Sequence, residues 1–376
     1  MRKIALLALC VAMFDIAGAF AQGKFSGYMF GDYFYNVARD TTFKGANAPK
    51  NAAVGGQKDL QAFQLRRIYF TYDNDISESF TTRFRLESDA TAGSKETDAN
   101  GKVTVFVKDA YLTWKNVFQG SNLIFGFQPS SAFDISETAW SYRSLEKTIM
   151  DLRGIIPSRV LGISLKGKIV ESGMVNYWLT FANNSGTAAP NGTVANTDKY
   201  KRYSLNLQIM PTKEFQVTLL GDYLARPSVN AFPVSGAPPS TVGNGVLTAA
   251  LFAGYNVKDE FNVGVEGFLR SLANGQRNSD TTGLTSVSTI GLTAFGEVNV
   301  SPELVVIARY DYYDPNSDSR SKGDGVNYII AGLAYKPNKN VQIIPNVQVE
   351  TYEKLANGRT YDPSVTGRVT FYYTFL

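Results

Sequence analysis

Beyond residue 23 the chain repeats one pattern: short segments in which apolar and polar side chains alternate. Alternation with period two marks a strand whose two faces meet different surroundings. In Phe80–Asp89, the residues Phe80, Thr82, Phe84 and Leu86 share one face, and Thr81, Arg83, Arg85, Glu87 and Asp89 share the other. In Leu304–Asp314, Leu304, Val306, Ala308, Tyr310 and Tyr312 alternate with Val305, Ile307, Arg309, Asp311 and Tyr313. Charges on one face and Phe, Leu or Tyr on the other suit a wall with lipid outside and water inside. Sixteen strands are predicted, near residues 24–36, 63–73, 80–89, 103–114, 122–128, 160–169, 175–184, 200–210, 215–224, 246–255, 261–271, 287–299, 304–314, 326–336, 341–352 and 364–376.

The connections alternate as strictly as the side chains. Short ones (Asn74–Glu78, Lys115–Ser121, Val170–Met174, Pro211–Glu214, Asn256–Glu260, Val300–Glu303 and Pro337–Asn340) take turns with long ones rich in Gly, Ser, Asn, Asp, Pro and Ala, such as Val37–Ala62 and Ala225–Gly245. That order predicts an all-β, transmembrane antiparallel barrel with short periplasmic turns and long external loops. Three short turns end alike, in Ser-Glu-Ser-Phe80, Thr-Lys-Glu-Phe215 and Lys-Asp-Glu-Phe261, which places an aromatic residue where a membrane-interface girdle would lie. Pro345 lacks a ladder donor and predicts a bulge or break in its strand.

Composition narrows the function. The chain has no histidine, and Cys10 is its only cysteine. A serine hydrolase usually needs a histidine base, and metal sites lean on His and Cys, so the chain is read as no enzyme, with no cofactor and no metal. Its net charge of +4 is scattered rather than clustered, which argues against nucleic acid. At the start, Arg2 and Lys3 precede the apolar stretch Ile4–Phe14 and the small-x-small triplet Ala19-Phe20-Ala21. Residues 1–21 therefore read as a signal peptide and 22–376 as the barrel, with 21 Tyr, 24 Phe and 33 Gly in place of any long apolar run.

The longest connection, Pro129–Arg159, carries Trp140 and Tyr142 among Asp134, Glu137, Arg143, Glu146, Lys147, Asp151, Arg153 and Arg159. It is the third long loop, and Ser144–Arg153 has the composition of a short helix. A 16-stranded barrel leaves an aqueous lumen unless something enters it, so this loop is expected to fold inward and form a constriction. Strand parity places Arg83, Arg85, Lys166, Lys168, Arg202, Arg270, Arg309 and Arg368 on the lumen face. It places Glu87, Asp89, Asp109, Asp222, Glu266, Glu297, Asp311 and Glu350 there too, an even balance. Arg309 and Asp311 are read as a structural pair, and Lys166 and Lys168 as screening residues after the loop.

Several stretches resemble the phosphate-selective porin O and P family of trimeric 16-stranded outer-membrane channels. They are Val107–Trp114 followed by Leu123–Pro129, then Arg143–Lys168, Asn176–Gly186, Ala308–Asn316 and Gly332–Glu350. The final strand, alternating Val365, Gly367, Val369, Phe371, Tyr373 and Phe375, resembles the C-terminal insertion signal of bacterial outer-membrane proteins, except that Leu376 is last. The resemblance implies a porin in the Gram-negative outer membrane, passing small hydrophilic solutes or inorganic anions such as phosphate, and a homotrimer in lipid. A structural or adhesive barrel with a plugged lumen and partner-binding loops is the alternative.

Overall fold

The computed structural model describes residues 23–40, 57–88, 102–184, 198–231, 240–277, 283–318 and 321–376. The signal segment 1–21 and Asp89 lie outside the described residues. The strands are β1 (Lys24–Ala38), β2 (Gln61–Asp75), β3 (Phe80–Ser88), β4 (Phe106–Phe118), β5 (Ser121–Pro129), β6 (Arg159–Lys168), β7 (Val175–Ala182), β8 (Arg202–Ile209) and β9 (Phe215–Leu224). A two-residue ladder, β10 (Val229–Asn230) with β11 (Thr241–Val242), sits inside the next connection. Then come β12 (Val246–Val257), β13 (Phe261–Arg277), β14 (Leu284–Ser301), β15 (Leu304–Asp314), β16 (Val326–Asn338), β17 (Val341–Tyr352) and β18 (Ser364–Thr374).

Apart from β10 and β11, the strands form one closed antiparallel barrel of sixteen, sealed where β1 pairs with β18 from Tyr28↔Thr374 to Ala38↔Val365. Closure leaves no unpaired strand edge, the one condition under which strands can span hydrocarbon. Phe84, Leu112, Phe125, Leu251, Leu269 and Leu292 are exposed on the outer face. Such a belt penalised by water is at home against acyl chains. The inner face buries Asp32, Glu87, Asp109, Arg202, Asp222, Arg309, Asp311 and Arg368.

The short turns are built by a common device. Ser77 Oγ accepts the N–H groups of Ser79 and Phe80 at 3.3 and 3.2 Å, and Thr212 Oγ1 accepts those of Glu214 and Phe215 at 3.3 and 3.1 Å. A hydroxyl that satisfies two turn amides needs no water there. The Phe that follows enters the aromatic ring of the barrel: Phe80 packs on Trp114 at 5.7 Å and Phe261 on Tyr255 at 5.9 Å. Gly126 on β5 has φ +127°, and a Cβ there would stand 2.3 Å from the Ala110 carbonyl oxygen, so only glycine lets β4 come this close.

Several strand bounds differ from the sequence expectation. β4 runs past Trp114 to Phe118 because a register shift with β5 absorbs Asn116, whose φ is +52°. β13 and β14 rise further than their alternation suggests, to Arg277 and from Leu284. At Pro345 the ladder with β18 is continuous, whereas the ladder with β16 is interrupted between Gly332↔Asn346 and Tyr335↔Ile343. The break therefore faces the neighbour that would have used the missing donor.

Candidate functional site in the barrel lumen

The connection from β5 to β6 lies inside the barrel. Ala132, Phe133, Trp140, Tyr142, Leu145, Ile149, Met150, Ile155 and Ile156 are all buried. Trp140, Tyr142 and Leu145 pack with Phe252, Phe295, Val305, Ile307, Tyr328, Ile330 and Ile344 of β12 and β14–β17. Phe133, Ile149 and Met150 pack with Leu220 and Phe268 of β9 and β13. Burying each large side chain contributes roughly 1.5–3 kcal/mol, so the loop is fastened along one wall by its own apolar side. The expected helix over Ser144–Arg153 shrinks to the single turn Ile149–Leu152, and an unforeseen helix forms at Asp134–Ala139. Gly154 at φ +65° stops the turn: its N–H donates to Asp151 O and that of Ile155 to Met150 O at 2.9 Å, a left-handed cap.

Polar pins set the loop's height. Arg66 donates to the carbonyls of Ser144 and Leu145 at 3.0 and 2.7 Å and reaches Glu146 at 3.4 Å. Burial alone would raise the Glu146 carboxyl; Arg66, the Lys147 backbone N–H, Arg368 and Arg143 outweigh it and hold it below the ordinary value. Arg309 forks onto Asp311 at 2.8 and 2.6 Å and gives a third bond to Lys147 O at 2.6 Å. These two do form an ion pair, and the pair also carries the loop. Arg153 meets Glu350 at 2.8 Å with both side chains buried, Ser141 donates to Glu297, and Asn206 and Asn262 donate to Ser131 O and Ala139 O at 2.7 Å. Arg202 is paired with Asp222.

The wall of β1–β4 and β6 is basic in a way that counting does not show. Each buried carboxylate there is shared by two cations. Asp32 takes Arg368 at 3.2 Å and Arg66 at 3.8 Å; Glu87 takes Lys108 at 2.7 Å and Arg67 at 2.9 Å; Asp109 takes Arg159 and, at 3.5 Å, Arg85. Arg66, Arg67, Lys108 and Asp32 were not among the lumen residues expected from parity. For the three basic residues the cause is two bulges, while Asp32 lies on the regular inward face of β1 with Phe30 and Phe34. The β1–β2 register steps from Phe30↔Arg67 to Gly31↔Leu65, leaving Arg66 extra, and the β3–β4 register steps from Arg85↔Asp109 to Leu86↔Val107, leaving Lys108 extra. A bulge puts two consecutive side chains on one face. The signal was readable: Arg66-Arg67 and Lys108-Asp109 are adjacent charges inside strands, which strict alternation would send into lipid.

Other charges hold looser contacts. Arg143 lies 3.5 Å from Glu137 and 3.9 Å from Asp151, and its buried Nη1 has no hydrogen-bond partner among the described residues. Burial would lower its pKa, but Tyr69, Glu137, Asp151 and Glu146 raise it, so it stays cationic. Lys147 reaches Asp151 at 3.7 Å. Lys166 stands over the Trp178 ring at 4.0 Å, 3.9 Å from Asp134, with its side chain 49% exposed. Lys168 is not with it: it lies against Gly120 and Gly173 of the short turns, at the rim, because β6 descends from Arg159 at the constriction to Lys168 at its far end. Arg83 is held by Asp73 at 2.7 and 2.9 Å and lines, with Tyr111, Thr81, Thr113 and Asp75, a cavity of about 380 Å³ near the same end. Among the described residues, no group of three His, Cys, Asp or Glu could hold a metal ion.

The chain matches no protein-family model and no curated protein. Its fold is similar to solved outer-membrane proteins over nearly the whole length. The outer membrane channel DcaP of Acinetobacter baumannii shares 15% identity at TM-score 0.60, covering 95% of this chain and 98% of that one. The anion-selective porin from Comamonas acidovorans shares 11% at TM-score 0.61, covering 94% and 100%. OmpF of Salmonella typhi, solved with daunomycin, shares 14% at TM-score 0.57, covering 94% and 98%. At these identities the likeness is one of architecture: a closed barrel of sixteen antiparallel strands, as in outer-membrane porins.

Proposed function

We propose that this chain is a porin of the Gram-negative outer membrane, a water-filled channel for passive diffusion of small hydrophilic solutes that favours anions, phosphate among them. The observation that carries the reading is the one-sided docking of the loop. Its apolar side is spent on β9 and β12–β17, while the opposite wall keeps Arg83, Arg85, Lys108, Arg159 and Lys166 on its inner face, and Lys166 remains about half exposed. A plug would bury that wall as well. Anion preference is supported by the sharing of Glu87 and Asp109 between cation pairs, which leaves each of those two clusters with a positive excess, whereas Arg66 beside Asp32 also meets Glu146. The role of these side chains is to attract and screen solutes, with no cofactor, no nucleic acid and no chemistry. Assembly as a homotrimer in outer-membrane lipid belongs to the same reading; one similar structure is an OmpT of Vibrio cholerae in trimer form.

The test is purified protein in a planar bilayer under a KCl gradient. The expected result is a stepwise current whose reversal potential has the sign of chloride preference, reduced by added phosphate. Lys166→Glu should shift the reversal potential toward cations and Lys168→Glu much less. A cation-sign potential in the unaltered protein overturns the anion preference. A closed barrel overturns the channel itself.

A further inference from the structure

On the inner wall beside the constriction three tyrosines stand in a row across three strands. Tyr28 of β1 faces Tyr69 of β2 in register, with ring centroids 4.6 Å apart, and Tyr372 of β18 lies on its other side at 5.7 Å. Tyr69 is buried, and Tyr28 and Tyr372 are half-buried. Their neighbours on the same face are Phe30, opposite Tyr372, and the polar or charged Asp32, Arg67, Thr71, Arg368 and Thr370. On the wall that the loop leaves uncovered, an aromatic row among charges and hydroxyls narrows the passage, and the half-buried Tyr28 and Tyr372 offer π-surface to what passes.

Two guanidiniums flank the row. Arg85 lies 5.8 Å from the Tyr69 ring centroid, and the charges of both Arg85 and Arg143 act on Tyr28. Arg143 is held by carboxylates only at 3.5 Å (Glu137) and 3.9 Å (Asp151), and its side chain is 18% exposed. That exposed edge can turn to a solute without breaking a short ion pair. A flat face for stacking beside a fork for a carboxylate is complementary to one chemical class. Toward the short turns, the cavity of about 380 Å³ that Arg83 and Tyr111 line is large enough for a small organic solute.

We propose that Tyr28, Tyr69 and Tyr372, with Arg85 and Arg143, form a binding subsite for planar organic anions, small carboxylates carried on an aromatic ring. The inference rests on the anion-preferring channel argued above and adds a selectivity that charge alone cannot give. Benzoate, acetate and cyclohexanecarboxylate have the same charge, and only benzoate has a flat π-face.

The experiment adds each carboxylate in turn to single channels of the full mature chain in KCl. Benzoate should reduce the current with saturation, acetate should not at equal concentration, and cyclohexanecarboxylate should act only weakly. In the variant Tyr28→Leu with Tyr372→Leu, half-block should need about tenfold more benzoate, with the KCl reversal potential unchanged. Equal effects of benzoate and acetate on the unaltered protein overturn the subsite, even if the variant does not fold. So does a folded double variant that keeps the benzoate block. A cation-sign reversal potential in KCl alone would instead be a failure of the underlying channel reading, read out before any carboxylate is added.

Discussion

Arg153 and Glu350 meet at 2.8 Å behind the loop, with side-chain exposures of 2% and 0%. Removing one partner strands the other charge without water. Arg153→Ala is therefore expected to cost about 3–5 kcal/mol, read as a lower urea midpoint for unfolding in detergent. Arg153→Met with Glu350→Leu should recover most of it, since the buried charge is gone from both sides. Asp324, ahead of β16, behaves differently. Burial first, then Asp314 and Glu353, push its carboxyl up to about 7, while Glu353 accepts the N–H groups of Gly323 and Gly325 at 2.9 and 3.3 Å. The docked connection thus favours the neutral acid. Below the ordinary carboxyl pKa, docked and undocked forms are equally protonated and nothing is lost. As pH rises above that value the undocked acid ionises while the docked one keeps its proton, so docking weakens progressively until about pH 7 and no further above it. Amide exchange at Gly323 and Gly325, corrected for its intrinsic rate, should quicken between about pH 4 and about pH 7 and level off above, and Asp324→Asn should flatten that change. At this scale strand parity gives Arg83, Arg85, Glu87, Asp109, Arg202, Arg309, Asp311 and Arg368 as inward, and each has a carboxylate or cation partner on that face. It missed Arg66, Arg67 and Lys108, because a bulge breaks the period on which parity rests.

The constriction loop shows what local sequence carries and what it leaves to tertiary packing. Its inward fold was legible from Trp140 and Tyr142 in a connection too long and too apolar for an external loop. The helix at Asp134–Ala139 was not, for one turn and a half has little propensity of its own; it exists because Phe133 and Ile135 pack against the wall. Trp140 is the largest anchor, 1% exposed, its ring tilted against Phe295 at 5.3 Å, with Nε1 donating to Glu146 O at 2.8 Å and Arg309 over its ring at 5.1 Å. Trp140→Ala should cost roughly 3–5 kcal/mol of docking. Its expected signature is a noisier, fluctuating single-channel conductance while barrel assembly, followed by gel migration before and after heating, is kept.

Over the whole molecule, closure, strand number and the alternation of short turns with long connections all follow from a period-two pattern and from turn residues such as Ser77 and Thr212. They were legible because each barrel strand sees lipid on one side and a polar interior on the other, so side-chain polarity and geometry share one period. The distribution of charge inside was not legible in the same way. An even tally on the lumen face conceals that Asp32, Glu87 and Asp109 each serve two cations, because sharing depends on which strands are neighbours and on their register. The central claim is a barrel with an apolar exterior and an open basic wall opposite the loop. It is tested most directly by cysteine labelling, since the chain has no cysteine beyond Cys10. A membrane-impermeant maleimide applied only to the outside of intact cells should modify Lys166→Cys, which it can reach only through the constriction, and should spare Phe125→Cys on the outer face. Labelled Phe125→Cys with unreactive Lys166→Cys would contradict both the orientation of the wall and the open path.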